Sequence, residues 1–153
     1  MPEISRLHVD VQTASETPAR TTSRIYLGFG GREFRLRTQS NPANDFSPGA
    51  RQDFYLGADP NVAQPQRNDP REPHLPAAAL DGEVYLRLHP AGDHRDWVVE
   101  RARVHVFSGA EELAVYDTPA LRDANSPLKH KIWLGDDYGH IYHLERQGAP
   151  GGD

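Results

Sequence analysis

The sequence contains no cysteine, so no disulfide can form, and thiol redox chemistry and cysteine-ligated zinc are excluded. It also has no run of about 18 apolar residues, the length that a membrane-spanning helix requires. The opening residues, MPEISRLHVDVQ, lack a basic stretch followed by an apolar one and so do not read as a signal peptide. We therefore expect a cytoplasmic protein by default, although export by a signal-free route leaves no mark in a sequence.

Concentrated positive charge is also missing. The formal net charge is −5, with acidic and basic residues interspersed, whereas a nucleic-acid-binding face needs clustered basic residues. Arg32, Arg35 and Arg37 form the nearest approach to a basic face, and their spacing is typical of the solvated side of a strand. We therefore expect no nucleic-acid partner.

What the sequence does have is a hydrophobic period of two, the period of a half-buried strand. Its 153 residues suit one domain, and thirteen prolines and thirteen glycines punctuate the short segments. The pattern predicts an all-β, antiparallel sandwich or barrel with no long amphipathic helix. The predicted strand segments are LHVDV, RIYLGF, REFRLR, DFYLG, EVYLRLH, the run from Trp97 to Phe107, ELAVY, KIWLG and HIYHL.

Two local signals refine these strands. Gly30-Gly31 lies between Phe29 and Phe34 and predicts a tight hairpin, since glycine supplies positive φ. Trp97 and Val99 are out of phase with Ala102 and Val104, so we expect a β-bulge near Glu100-Arg101 that returns both halves to one face.

Two segments fall outside the strand pattern. Residues 58–79 carry five prolines and few large apolar side chains, which predicts a long exposed loop that is either a binding arm or a tolerated insertion. Residues 148–153 predict a disordered tail, so the folded domain is expected to span residues 1–147.

The ordered set of motifs resembles the PLAT family, the β-sandwich found beside lipoxygenase and lipase catalytic domains. The resemblance runs from Ile4 to Leu144 through LHVDVQT, TTSRIYLGFGG, NDFSPGARQDFYL, VYLRLHPAGDHRDWVVERARVHV and Trp133-Leu134. It implies an eight-stranded sandwich of two four-stranded sheets. It also implies an interaction module that guides attached enzymes to membranes, lipids or protein partners, sometimes with calcium.

The resemblance makes calcium the one cofactor to consider. Asp53, Asp93 and Asp96 are the candidate ligands, with Asp45 as a further carboxylate, because calcium takes six to eight oxygens from flexible loops. Ser23 and Pro90 stand where calcium-binding members carry acidic residues. The alternative is that the aspartates initiate a turn and keep the loop hydrated.

Catalytic and zinc-binding interpretations have less support. His94 and Asp96 suggest a general base with an orienting carboxylate, hence a hydrolase, but no nucleophile motif accompanies them. His140 and His143 resemble a zinc pair, yet residues three apart on a strand point to opposite faces. We therefore expect no catalytic residue.

Exposed aromatic and arginine side chains offer the remaining candidate site. Tyr and Arg are enriched at the centres of protein interfaces, and one set of them shares outward strand positions. We expect a protein-binding or self-associating module, with calcium-assisted membrane or lipid binding as the alternative. Among loop tips, only Tyr138 and Leu75 offer large apolar side chains for the latter. The predicted interaction surface consists of Tyr85, Arg87, Arg101, Arg103, His105 and Phe107.

Overall fold

The computed structural model of the protein describes residues 4–14, 21–40, 42–71, 75, 77–118, 132–135 and 139–147. Tyr138 and the predicted tail, residues 148–153, lie outside these ranges. Within these ranges, two short 3₁₀ turns, Pro42–Asn44 and Ala77–Asp81, accompany nine strands. The strands are β1 (Arg6–Thr13), β2 (Arg24–Phe29), β3 (Arg32–Arg35), β4 (Arg51–Gly57), β5 (Val84–His89), β6 (Trp97–Ser108), β7 (Glu111–Asp117), β8 (Ile132–Leu134) and β9 (Ile141–Arg146).

The strands form two antiparallel four-stranded sheets around a shared apolar core. One sheet has the order β3-β2-β5-β9 and the other β7-β6-β1-β4, and a short pairing of β7 with β9 joins them. β8 adds a ninth strand beside the start of β6. The predicted fold class, an all-β antiparallel sandwich, is confirmed. No helix in the described ranges is long and apolar enough to cross a membrane.

β6 contains the predicted bulge. Gln12 of β1 pairs with Arg101, but the next residue, Thr13, pairs with Val99, which leaves Glu100 as the extra residue. Because side chains alternate along a strand, one inserted residue changes the face on which those beyond it lie. The buried side chains before and after the bulge therefore enter the same core.

The Gly30-Gly31 hairpin is also confirmed. Phe29 pairs with Arg32, so the two glycines form a two-residue loop with φ of 63° and 79°. Positive φ at both positions is the signature of a type I′ turn, whose twist matches that of the flanking strands.

Trp97 anchors the core where β6 begins. The side chain is fully buried, and its indole N–H donates to Thr13 Oγ1 over 2.9 Å. The ring makes an edge contact with Phe46, whose ring centroid is 5.1 Å away. A buried indole needs such a partner for its N–H, so Trp97 is a structural residue of the core.

The structure buries part of the segment that the sequence predicts as an exposed Pro-rich loop, residues 58–79. Val62 is fully buried, and Leu75, expected at an exposed loop tip, is only 5% exposed. The side chain of Asn68 accepts from the Arg35 amide over 2.8 Å, and its own amide group donates to two carbonyls of the segment. A few buried side chains and hydrogen bonds therefore hold this segment against the sandwich.

Connections of both sheets meet at one end of the sandwich. The Thr22 amide, just before β2, donates over 2.7 Å to the carbonyl of His94, just before β6. Gly135, the residue after β8, packs directly against Asp96, because a Cβ on this glycine would overlap the Asp96 carboxylate. We call residues 21–23, 90–96 and 133–135 the loop end.

Candidate functional site

Hydroxyl groups before β2 hold the acidic loop before β6. Thr22 Oγ1 lies 2.9 Å from the carbonyl of Ala91 and accepts from the His94 amide over 3.0 Å. Ser23 Oγ donates to the Arg95 carbonyl over 2.8 Å and accepts from the Ala91 amide. Ser23 is thus a hydrogen-bonding anchor of the loop. Carbonyls of the loop that would otherwise be open to a cation already accept hydrogen bonds.

A cleft of about 370 Å³ opens beside this anchor. Its volume lies in the range of small-ligand pockets, about 300–1,000 Å³. Leu36 and Ile25 are joined by a backbone hydrogen bond of 2.9 Å and are almost fully buried, which leaves the neighbouring arginines on the other side of the strand pair. We call it the arginine cleft; it is lined by Thr21, Thr22, Ser23, Arg24, Ile25, Arg35, Leu36, Arg37, Pro42, Asp45 and Phe46.

The three guanidinium groups of the arginine cleft have no ion-pair partner among the described residues. Burial lowers the pKa of Arg35, and the positive charges of Arg37 and Arg24 lower it further. The cleft therefore concentrates positive charge that no carboxylate of the described residues neutralises in an ion pair.

Asp45 is the acidic side chain in the cleft, and it is already engaged. Its carboxylate accepts from the amide and the hydroxyl of Thr38, over 2.8 and 2.6 Å. Burial raises the pKa of Asp45, while the Thr38 hydrogen bonds and the charge of Arg37 act in the opposite direction. Asp45 fixes the cleft wall and offsets at most one of the three positive charges.

Two large apolar side chains are exposed near the loop end. Trp133 is 38% exposed and Ile141 is 49% exposed, and they are the exposed large hydrophobic residues of the described ranges. They belong to β8 and β9, the strands on either side of one connection. Trp133 pairs with Val98 at the start of β6 and Ile141 pairs with Arg87 near the end of β5, so both lie at the same end of the sandwich as the arginine cleft, on different sheets.

The candidate calcium ligands do not form one set. Asp53 lies in the middle of β4, opposite Asp10, and its carboxylate is 2.9 Å from His8 Nε2. Asp96 precedes β6 and lies seven residues before Arg103, which pairs with Asp10 of β1. At about 3.3 Å per residue, Asp96 is therefore roughly 20 Å along the strand direction from Asp53. Asp93 is in the same loop as Asp96. In the described ranges, no three acidic or histidine side chains are grouped closely enough to hold a metal ion.

The candidate catalytic pair is not assembled either. His94 is exposed, and no hydrogen bond joins its imidazole to Asp96 in the described part of the chain. The Asp96 side chain instead packs against Gly135. His143 lies on β9 with its ring tilted against that of Tyr85, the ring centroids being 5.8 Å apart, whereas His140 precedes the strand.

The predicted interaction surface divides between two opposite faces. Tyr85 and Arg87 lie on β5, whereas the other four residues lie on β6 in the other sheet. Arg87 donates to both carboxylate oxygens of Glu33, over 2.7 and 2.8 Å, and the Tyr85 hydroxyl donates to the same group. These hydrogen bonds, that of Arg87 foremost, hold the pKa of Glu33 below its usual value.

The β6 arginines are neutralised as well. Arg101 contacts the buried carboxylate of Asp117 at 3.1 Å, and Arg103 donates to buried Asp10. Paired guanidinium groups offer a partner less than free ones, because their hydrogen bonds and charge are already used. The sequence could not show this pairing, which depends on strand register.

An aromatic row on the outer face of β4, β1 and β6 extends the predicted surface residues His105 and Phe107 in a way that sequence reasoning missed. His8 stacks on Tyr55 and on His105, with ring centroids 4.6 and 5.2 Å away, and Phe107 continues the row beyond His105. Arg6 lies over the Tyr55 ring at 4.3 Å. Each of these side chains is half-buried by its neighbours. Finding this row from the sequence would have required knowing the register of β1 with β4 and with β6.

The arginine cleft was only partly visible in the sequence. Arg35 and Arg37 belong to the short basic run interpreted as a solvated strand side, and the structure places them in the cleft wall. Arg32 of that run instead donates to the Asp69 carbonyl over 3.1 Å and lies over Phe34. Arg24 joins the cleft because β2 pairs with β3.

Two sheets of four antiparallel strands with this order define a C2-like β-sandwich of the PLAT type. Among solved structures, the alpha toxin from Clostridium absonum is similar, with a TM-score of 0.54, 16% identity, and coverage of 94% of this chain and 32% of the toxin chain. Coral 8R-lipoxygenase is similar with a TM-score of 0.53 and 18% identity, over 94% of this chain and 17% of that chain. At these identities the likeness establishes the fold. No family model matches the sequence, and no curated protein matches it.

Proposed function

We propose that the chain is a non-enzymatic accessory module that docks onto a membrane surface through its loop end. The observation that carries this proposal is the combination of exposed Trp133 and Ile141 with the three arginines of the cleft at the same end of the sandwich, which have no ion-pair partner among the described residues. Tryptophan is enriched at the membrane interface, where an apolar ring enters the acyl boundary and its N–H stays wet. Cationic side chains add attraction to anionic lipids.

The comparisons support an accessory role. Coral 8R-lipoxygenase is described as activated by calcium via a C2-like domain, and the similar region is 17% of that chain. By analogy, this sandwich would guide a larger assembly and leave the chemistry to another domain or partner.

We expect the docking to need no calcium. The hydroxyls of Thr22 and Ser23 already bind carbonyls of the loop before β6, so a cation is not required to order it. Equal binding to vesicles in chelator and in millimolar calcium is the expected result. A requirement for calcium that Asp93→Ala or Asp96→Ala removes would restore the carboxylate loop as a metal site.

The direct test is co-sedimentation with phosphatidylcholine vesicles, with and without phosphatidylserine. We expect the bound fraction to rise with phosphatidylserine and to fall for Trp133→Ala and Ile141→Ser. Phe107→Ala is the matched control, because it removes a large aromatic side chain from the opposite end of β6. Absence of binding to either vesicle would refute membrane docking.

Protein contact is the second candidate function, and the aromatic row favours it. Tyr55, His8, His105 and Phe107 present aromatic surface on one strand face, and aromatic residues are enriched in interfaces. Self-association through this face predicts a dimer in light scattering that His105→Glu disrupts. A monomer at all concentrations would exclude the self-associating form.

A further inference from the structure

The arginine cleft has the chemistry of a phosphate site. Guanidinium groups bind phosphate through two parallel hydrogen bonds, which makes arginine the preferred residue for planar, bidentate recognition of this group. Arg24 and Arg35 are on adjacent strands and Arg37 follows β3, so three such groups surround one concavity.

The protein itself does not satisfy these groups. In the described part of the chain, no carboxylate pairs with the three arginines, whereas Arg51, Arg87, Arg101 and Arg103 each have a carboxylate partner. Burial lowers the pKa of Arg35 most, and repulsion from the positive charges of Arg37 and Arg24 lowers it further. An anion with two negative charges would relieve this repulsion.

We propose that the arginine cleft binds a phosphate monoester, carried either by a phosphorylated lipid headgroup or by a soluble phosphorylated ring compound. A monoester carries nearly two negative charges near neutral pH, more than the net single charge of phosphatidylserine. The cleft offers three arginines against one engaged carboxylate, and its volume of about 370 Å³ admits a headgroup-sized ring. The lipid form of this inference rests on the proposed membrane docking.

The first test uses a soluble probe, inositol 1,4,5-trisphosphate, in isothermal titration with the intact protein. We expect saturable binding that Arg35→Gln and Arg24→Gln each weaken about tenfold or more, since hydrogen bonds to charged groups are the strong ones. Arg35→Lys keeps the positive charge but loses the two parallel hydrogen bonds of the guanidinium group, so its affinity for the probe should fall between those of wild type and Arg35→Gln. Arg146→Gln is the matched control at the opposite end, where this residue contacts Asp81.

The second test compares vesicles containing phosphatidylinositol 4-phosphate with phosphatidylserine vesicles of equal surface charge. Stronger binding to the former, lost in Arg35→Gln and competed by the soluble probe, supports a lipid headgroup as the source. Binding of the soluble probe without vesicle binding supports a soluble ligand and refutes the docking proposal alone. Equal binding to both vesicles with no binding of the probe overturns the phosphate site and leaves the docking proposal intact.

Discussion

Trp133→Ala is the most direct test of the proposed membrane docking, because it removes an exposed aromatic side chain. The residue is 38% exposed, so roughly 95 Å² of a side chain of up to about 250 Å² is available to enter the membrane interface. At about 25 cal/mol per Å², transfer of this area contributes about 2.4 kcal/mol at most, or about 50-fold in the partition constant. We expect Trp133→Ala to weaken vesicle binding about 10- to 50-fold, whereas Trp133→Phe should retain most of it.

Tryptophan fluorescence makes the assay specific. The chain has two tryptophans, and Trp97 is fully buried, so its emission provides an internal reference. Vesicles should shift the emission of the wild type to shorter wavelength through Trp133 and leave that of Trp133→Ala unchanged. If the wild type binds vesicles without a shift, or Trp133→Ala binds as tightly as wild type, the loop end is not the docking surface.

Three further predictions concern the scaffold. Asp10→Asn should lower the free energy of unfolding in urea at pH 7 by about 2–3 kcal/mol, as hydrogen bonds to a charged group do. Burial acts to raise the pKa of Asp10, but its arginine hydrogen bonds outweigh this and lower it from 3.8, so the wild-type advantage should persist above about pH 4 and disappear as pH falls below it. Gly135→Ala should destabilise by about 1–3 kcal/mol, because its Cβ would meet the Asp96 carboxylate, and Asp96→Gly should recover much of the loss in a double-mutant cycle. Thr22→Val should speed hydrogen exchange of the His94 amide about tenfold, since that amide loses its hydroxyl acceptor; unchanged exchange would mean that the hydroxyl does not hold the loop.

The strands and their local irregularities could be predicted from the sequence because both depend on near neighbours. The phase break between Val99 and Ala102 required an extra residue, and the register places it at Glu100. Gly30-Gly31 specified its own turn. Each signal is contained in a few consecutive residues, and alternation alone determines which face they occupy.

The Pro-rich segment shows where such reasoning fails. Its attachment depends on isolated anchors, Val62 in the core and Asn68 against the Arg35 amide, and neither produces a period. Low hydrophobicity correctly indicates that the described residues of the segment form no strand. It does not reveal that a segment with a few well-placed anchors can pack against a sandwich.

The pairing of the arginines was not visible in the sequence for a related reason. Arg87 and Glu33 are separated by 54 positions and meet only because β2 lies between β5 and β3. An arginine looks equally available in a sequence whether or not register gives it a carboxylate. Knowledge of the pairs is therefore what separates the neutralised arginines of the predicted surface from the uncompensated ones of the cleft.

This separation also reconciles an acidic protein with an anionic surface. Screening limits the reach of exposed charges to about 10 Å at 0.1 M salt, so a surface senses mainly the groups that face it. Removing the cleft's three arginines and one aspartate from the total of −5 leaves −7 on the rest of the chain. The arginine cleft is thus attracted to an anionic surface while the remainder of the chain is repelled, and the two effects favour the same orientation. We therefore expect the association rate with anionic vesicles to fall as salt increases, and Arg24→Gln to flatten that dependence, whereas Arg146→Gln should leave it nearly unchanged.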